Sequence, residues 1–110
     1  MKIDTEAYVL TAYIGEDDRT DGESLNSAIL DQFHTLGLLH VSVFHGIEGY
    51  GAHRELHTAR IEVLLRDLPI VIEAIDTKER IGQAAALLEG MIDEGLVTVH
   101  PVRAIHYGGE

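Results

Sequence analysis

Two strand–helix–strand units of similar length follow one another along this chain, and that order limits the folds open to it. The first unit joins a β-branched and aromatic strand at Tyr8–Ile14 to a strand at Val41–His45. The second unit joins strands at Leu68–Ile75 and Leu96–Val102. Two such units usually interleave as a four-stranded antiparallel sheet with both helices on one face. We therefore predict a ferredoxin-like α+β fold, a βαββαβ sandwich, with residues 1–110 as a single domain.

Capping and turn signals predict where the two helices begin and end. Thr20 with Glu23 fits the capping box S/T-x-x-E at the start of the first helix, and Gly37 closes it. Thr77 is a good N-cap for the second helix, and Gly95 is placed to end it. Each helix carries apolar residues at helical spacing, which predicts the side that packs on the sheet.

The third predicted strand indicates that the sheet is covered on both faces. Leu68–Ile75 is apolar at nearly every position, whereas a strand with one solvated face alternates apolar with polar residues. Val41, Val43 and Phe44 likewise place apolar groups on both faces of the second strand. Because two helices on one side leave the other side uncovered, we predict a homo-oligomer that packs through its sheets.

Composition and charge exclude several classes of protein. The 110 residues include no cysteine, which excludes a disulfide scaffold and a thiolate zinc site. The formal net charge of −11 opposes a nucleic-acid surface or an anionic-membrane surface. The N-terminus has no signal-peptide h-region, and no apolar run approaches the ~18 residues of a membrane span. We therefore expect a cytoplasmic protein that does not bind nucleic acid.

The run VFHGIEGYGAHRELHTAR at Val43–Arg60 holds the residue types best suited to a ligand. Its glycines permit close approach of the backbone, and its histidines and arginines supply donors and positive charge in an acidic chain. These residues are Gly46, Gly49, Gly51, His45, His53, His57, Arg54 and Arg60. A hairpin tip with solvated side chains is the alternative interpretation, and residue types alone do not separate the two.

Two groups within this run have specific alternatives. His53 and His57 are four residues apart, so on a helix they would share one face as metal ligands do, yet no third ligand is evident. The other interpretation is a pair of loop histidines with ordinary titration. Arg60 suits a phosphate group and equally an ion pair with Glu48 or Glu62.

No motif in the chain names a reaction. Glu73 and Asp76, on or just after the third strand, form a conceivable catalytic carboxylate pair, but no nucleophile converges with them. The serines have no nucleophile elbow around them. We therefore do not expect an enzyme.

The stretch VFHGIEGYGAHRELHTARIEVLLRDLPIVIEAIDTKERI resembles the signature region of the uncharacterised domain family 190. That family belongs with the PII-like signalling proteins and is similar in fold to the CutA divalent-cation tolerance proteins. The resemblance joins the G-I-E-G-Y-G loop, the H-T-A-R run, the D-L-P-I-V-I-E strand and the E-G-L-V-T turn in order. It covers nearly the whole chain from Tyr8 to Val102 and implies a trimer whose three sheets face the inside.

The resemblance also implies a cleft for a small effector, often an adenine nucleotide, between the loop base of one subunit and the C-terminal region of a neighbour. Gly49, Tyr50 and Gly51 match the glycine–aromatic–glycine at the base of the PII loop. Arg103 and His106 lie near the place where the C-terminal segment supplies basic groups to phosphates. The predicted ligand-binding residues are therefore Gly46, Gly49, Tyr50, Gly51, His53, His57, Arg60, Arg103 and His106.

A further implication is that the loop Gly46–His57 contacts a target protein, such as a membrane transporter or an ion exporter. The chain departs from PII proteins before the last strand, where the short acidic run Asp93–Val97 replaces a phosphate loop rich in glycine and lysine. A triphosphate would meet two carboxylates there, so a monophosphate, a cyclic nucleotide or a different anion is easier to accommodate. The alternative function is a CutA-like protein that binds divalent metal ions through histidine and acidic groups.

Overall fold

Four strands of the chain build one antiparallel sheet, as shown by a computed structural model that describes residues 1–49, 57–58 and 68–108. The strands in these ranges are β1 (Lys2–Gly15), β2 (Arg19–Thr20), β3 (Glu23–Ser24), β4 (His40–His45), β5 (Glu48–Gly49), β6 (His57–Thr58), β7 (Pro69–Asp76) and β8 (Leu96–Tyr107), and the helices are α1 (Leu25–Leu36) and α2 (Lys78–Glu89). The sheet order is β4-β7-β1-β8, in which the two strand–helix–strand units interleave. The predicted ferredoxin-like α+β arrangement is confirmed.

The core lies between one face of this sheet and both helices. The two central strands and the two helices contribute three core residues each: Leu10, Ala12, Ile14, Ile70, Ile72, Ala74, Leu25, Ile29, Phe33, Ile81, Ala84 and Leu88. Successive side chains of a strand point to opposite faces, so these alternate positions define a helix face and, behind it, an open face of the sheet. None of the helices in the described ranges is long and apolar enough to cross a bilayer.

Helix α1 begins later than the predicted capping box. Asp21 and Gly22 have φ of 48° and 84°, and they turn the short strands β2 and β3 back on each other. An Asp-Gly pair favours such a tight hairpin because both central positions need positive φ. The N-cap is Ser24, whose Oγ accepts from Ser27 N at 3.3 Å. The capping box at Thr20 is therefore wrong, while the predicted end at Gly37, with φ 79°, is confirmed.

Helix α2 starts at its predicted N-cap and ends before its predicted stop. Thr77 Oγ1 accepts from Arg80 N at 3.2 Å, as expected. The helix ends at Gly90, not at Gly95. A Cβ at Gly95 would lie 2.9 Å from Tyr13 O, so this glycine is required by the close approach of the chain to β1.

Strands β1 and β8 extend beyond the rest of the sheet. β7 pairs with β1 only as far as Tyr8, whereas β8 pairs with β1 back to Lys2. The six residues Lys2–Ala7 and the six residues Val102–Tyr107 therefore form a two-stranded ribbon, about 20 Å long at ~3.3 Å per residue. The predicted end of the last strand at Val102 is wrong, because the strand continues to Tyr107.

Asp76 ties the two strand–helix–strand units together. Its side chain is nearly buried, with Oδ1 accepting from Thr77 N at 2.6 Å and Oδ2 accepting from Leu39 N at 2.8 Å. Arg80 Nε lies 3.8 Å from Oδ2, and Arg80 Nη1 donates to Leu36 O. The carboxylate and the guanidinium thus hold the link between α1 and β4 against the start of α2.

The carboxylate pair considered for catalysis is not formed. Glu73 lies on the open face, level with Ser42 and Thr11 on the neighbouring strands. Asp76 is three residues further along β7 and therefore on the helix face. The two side chains point to opposite sides of the sheet, and Asp76 is used to hold backbone N–H groups.

We predict that Asp76→Ala lowers the free energy of unfolding by about 3 kcal/mol, because two backbone N–H groups lose an ionised acceptor in a largely buried position. Urea denaturation at a fixed protein concentration measures the change. Glu73→Gln, on the same strand but on the other face, is the matched control and should change stability by less than about 0.5 kcal/mol. Equal effects of the two substitutions would contradict the structural role of Asp76.

The start of α1 can be tested in the same way. Ser24→Ala should cost about 1 kcal/mol through loss of the N-cap, whereas Thr20→Ala should cost only a few tenths. Thermal and urea unfolding of the two variants provide the comparison. A larger loss for Thr20→Ala would place the cap at the capping box after all.

Candidate functional site

The glycine that follows β4 is required by the protein's own packing. Gly46 N donates to Pro69 O at 2.7 Å, and a Cβ at Gly46 would lie 2.6 Å from Pro69 Cγ. The sequence pattern predicted that the close backbone approach of this glycine serves a ligand. The structure shows that the approach is made to β7, so Gly46 fixes where the chain leaves the sheet.

The chain beyond Gly46 forms a short antiparallel pair. Glu48 pairs with Thr58 and Gly49 pairs with His57, so β5 and β6 meet at the base of the predicted loop. The predicted ligand-binding residues Tyr50, Gly51, His53 and Arg60 lie outside the described residues. His53 of the predicted metal-binding pair lies outside them, so the metal hypothesis for His53 and His57 stays a prediction. The described residues include no group of three or more histidine, aspartate and glutamate side chains placed to hold a metal ion.

An acidic pocket opens at the same end of the sheet as Gly46. Its volume is 240 Å³, and it is lined by Asp17, Asp18, Arg19, Leu25, Asp93 and Glu94. Asp18 Oδ2 accepts from Gly15 N at 2.9 Å, which holds the turn after β1 in place. Four carboxylates against one guanidinium disfavour an array of phosphate groups. This arrangement supports the prediction that Asp93 and Glu94 provide a poor cradle for a triphosphate.

Arg103 and His106 lie on the ribbon, on opposite faces. They are three residues apart in β8, where odd separations change the face. In register, Arg103 is level with Glu6 and His106 with Ile3. The two basic side chains therefore do not converge on one phosphate within a single chain.

Arg103 already has an anionic partner. Its Nε donates to Asp4 Oδ1 at 3.0 Å, and its Nη2 donates to Asp4 Oδ2 at 2.6 Å, which is a bidentate pair. The Arg103 guanidinium lowers the pKa of Asp4 below its ordinary value of 3.8, so the carboxylate stays ionised at neutral pH. Asp4 was not among the predicted site residues, because it is 99 positions from Arg103 and only the strand pairing brings the two together.

The predicted ligand-binding residues that the structure describes lie at opposite ends of the sheet. Gly46 contacts Pro69, which is level with Gly15 of β1, whereas Arg103 is level with Glu6. Nine residues of strand separate Gly15 from Glu6, which is about 30 Å at ~3.3 Å per residue. A small ligand cannot reach both ends in one chain, so a site that uses both needs a second copy.

The open face offers a surface on which such a copy can pack. The cross-strand row Phe44–Val71–Tyr13–Leu96 runs across all four strands. Phe44 is 54% exposed, Tyr13 43% and Leu96 57%. The next row, Ser42–Glu73–Thr11–Thr98, is polar. Aromatic and aliphatic side chains this exposed in one row are typical of a protein–protein contact.

Solved structures with the same fold are PII-like proteins. CPII, a nitrogen regulatory PII-like protein from Thiomonas intermedia K12, bound to ADP, AMP and bicarbonate, superposes with a TM-score of 0.66 at 16% identity, covering 93% of this chain and 91% of that one. A putative PII-like signaling protein (TTHA0516) from Thermus thermophilus superposes with a TM-score of 0.63 at 13% identity, covering 94% and 91%. At these identities the likeness establishes a PII-like fold.

Sequence comparison identifies the family. A UPF0166 protein from Aquifex aeolicus (strain VF5) is 30% identical over 98 residues, which is 89% of this chain and 92% of that protein. The model of the DUF190 family, described as Uncharacterized ACR, matches residues 7–104. This is the family that the loop and strand motifs of the sequence resemble, and the chain belongs to it.

Proposed function

We propose that this protein is a PII-like regulatory protein that binds a small anionic effector in clefts between the subunits of a trimer. The observation that carries the proposal is the separation of about 30 Å, at ~3.3 Å per residue, between Gly46 at one end of the sheet and Arg103 at the other. Within one chain the loop base has no basic partner from β8. A cleft that joins the loop base of one subunit to the ribbon of its neighbour supplies that partner.

The charge distribution limits which anions can be the effector. The acidic pocket at the same end of the sheet as Gly46 disfavours a long phosphate chain, whereas Arg103 provides one guanidinium that binds two oxygens side by side. The CPII complex contains ADP, AMP and bicarbonate, which supports nucleotides with one or two phosphates and small oxyanions as effectors. We therefore propose AMP, ADP or bicarbonate in preference to ATP.

The output of such a regulator is a contact with another protein. We assign that contact to the loop Gly46–His57, and its target to a membrane transporter or ion exporter in the cytoplasmic membrane. Gly46 contacts Pro69, so the chain enters the loop from a fixed point on β7. An effector bound at the loop base then favours one loop conformation over others through its different affinity for each.

The proposed trimer predicts that the open face is the subunit contact. Phe44→Asp should convert the trimer into monomers, because burying a charge in the Phe44–Val71–Tyr13–Leu96 row costs several kcal/mol per subunit. Sedimentation velocity at micromolar concentration measures the change. Leu39→Asp is the matched control, since Leu39 is 52% exposed outside the sheet and should leave the trimer intact. A wild-type monomer would contradict the proposed assembly.

The effector is tested by calorimetric titration of the trimer with AMP, ADP, ATP, cyclic AMP, cyclic di-AMP and bicarbonate, with and without magnesium. We expect saturable binding of AMP, ADP or bicarbonate, with ATP weaker. Arg103→Gln should weaken that binding at least about tenfold, as expected for loss of a charge-assisted bidentate contact.

Lys2→Gln removes an equal charge from the same ribbon, level with Tyr107, and is the control. It should change the affinity less than about twofold, because an exposed charge without direct contact to the ligand contributes little at physiological salt. Equal losses for the two variants would assign the effect to overall charge. Absence of binding across the whole panel would contradict the proposed function.

A further inference from the structure

We propose that Asp4 is a built-in competitor for the Arg103 guanidinium, and that it selects effectors carrying two acceptor oxygens on one atom. This inference rests on the proposed function and deepens it, since it names the residue that sets which anions the site accepts. The observation is that the basic group proposed for the effector is already bound by a carboxylate of its own subunit.

The geometry of the pair resembles that of a bound ligand. Nε and Nη2 of Arg103 donate to the two oxygens of Asp4 at 3.0 and 2.6 Å, so the carboxylate occupies one edge of the guanidinium fork. The side chains of Arg103 and Asp4 remain 71% and 39% exposed, so an anion from solvent can reach both. Such a site exchanges one carboxylate-like partner for another without disturbing the core.

Replacement of Asp4 at the Arg103 guanidinium favours some anions over others. A carboxylate, bicarbonate or phosphate group places two oxygens against Nε and Nη2 and restores both hydrogen bonds lost from Asp4. A halide ion is a single acceptor that draws both N–H groups toward one point, so it does not restore the two parallel hydrogen bonds made by Asp4. The site therefore favours oxyanions over halides.

The displaced Asp4 also limits the charge of the effector. Asp4 and Glu6 share the helix face of β1, and Glu6 is level with Arg103, so two carboxylates remain beside any bound anion. Their repulsion rises with the number of charges that the ligand brings to this edge. Two lysines partly offset these carboxylates. Lys2 lies on the same face, and Lys78 Nζ lies 6.0 Å from the centre of the Tyr8 ring at the base of the ribbon. The balance between these carboxylates and the cationic groups of the ribbon favours a single phosphate group or bicarbonate over a triphosphate.

The competition does not depend on pH in the neutral range. Arg103 lowers the pKa of Asp4, so the carboxylate is ionised above its ordinary pKa of 3.8 and is lost as a competitor only as the pH falls below that value. Glu6, Lys2 and Arg103 share the Asp4 face of the ribbon, whereas His106 lies on the opposite face. For anions that keep the same charge in this range, such as acetate and chloride, the selectivity should therefore be the same at pH 6.5 and pH 8.

The first test compares effector affinities of the trimeric wild-type protein, Asp4→Asn, Glu6→Gln and Arg103→Gln by calorimetry. Asp4→Asn should bind AMP or bicarbonate about two- to fivefold more tightly, as expected for release from an exposed ion pair. Glu6→Gln removes the same charge beside Arg103 without breaking the bidentate pair. It should raise the affinity, but by less than twofold, because it relieves only the screened repulsion between Glu6 and the anion. In an Arg103→Gln background, Asp4→Asn should bring no gain.

The second test needs no nucleotide. The Arg103 Nε–H resonance, identified by its loss in Arg103→Gln, should shift on titration with sodium acetate or bicarbonate and stay in place with sodium fluoride or chloride at equal ionic strength. In Asp4→Asn the same shift should occur at lower acetate concentration. These outcomes would directly support competition between Asp4 and the added anion, because the measured resonance belongs to the Arg103 guanidinium.

The results separate the inference from the proposed function. If AMP binds the wild type and Arg103→Gln loses it, but Asp4→Asn gains no more than Glu6→Gln, the function stands and the competitor role is wrong. A halide that shifts the Arg103 resonance as acetate does overturns the selectivity. If no effector binds any variant and acetate leaves the resonance unmoved, both proposals fail.

Discussion

The pairing of β1 with two strands of different reach is the constraint on which the rest of this structure depends. β7 pairs with β1 from Tyr8 to Gly15, and β8 pairs with it from Lys2 to Tyr13. This offset leaves a two-stranded ribbon at one end of the sheet and the Gly46 exit at the other. It also brings Asp4 to Arg103. The separation of the proposed binding groups, and hence the need for a second copy, follows from this register alone.

The local signals that the sequence carries strongly agree with the structure. Thr77 and Gly37 are a cap and a stop because short-range hydrogen bonds and a left-handed turn determine those positions. The continuous apolar run predicted β7, and its alternate burial shows that the helices cover one of its two apolar faces. The ribbon could not be predicted, because its residues are mostly exposed on both faces and lack the apolar alternation of a half-buried strand. Asp4 could not be predicted as the partner of Arg103 for a different reason, because a contact between residues 99 positions apart leaves no local sequence pattern.

For the predicted site too, local residue types were informative, whereas contacts between distant residues could not be predicted. Residue types correctly marked Gly46 as a place of close approach, but they could not say that the approaching group is Pro69 and not a ligand. The Asp21-Gly22 turn overlaps the predicted capping box, and its two positive φ values keep these residues out of the helix, which starts after Ser24. The acidic residues before the last strand were more informative. The carboxylates before the last strand do meet those of the turn after β1, and the resulting pocket is acidic.

Regulation requires that binding in the cleft alter something outside it, and the sheet itself is unsuited to that task. β7 is anchored at its start by the contact of Pro69 with Gly46 and at its end by the Asp76 bonds, and its alternate side chains fill the core. Packed interiors resist small deformations. The ribbon, paired along one edge and mostly exposed, belongs to the parts of a fold that open at low free-energy cost. In the proposed trimer the ribbon of one subunit lies beside the Gly46 exit of the next, so the contact between copies is the direct route between them. An effector that takes Arg103 from Asp4 on one subunit would therefore act on the loop of its neighbour.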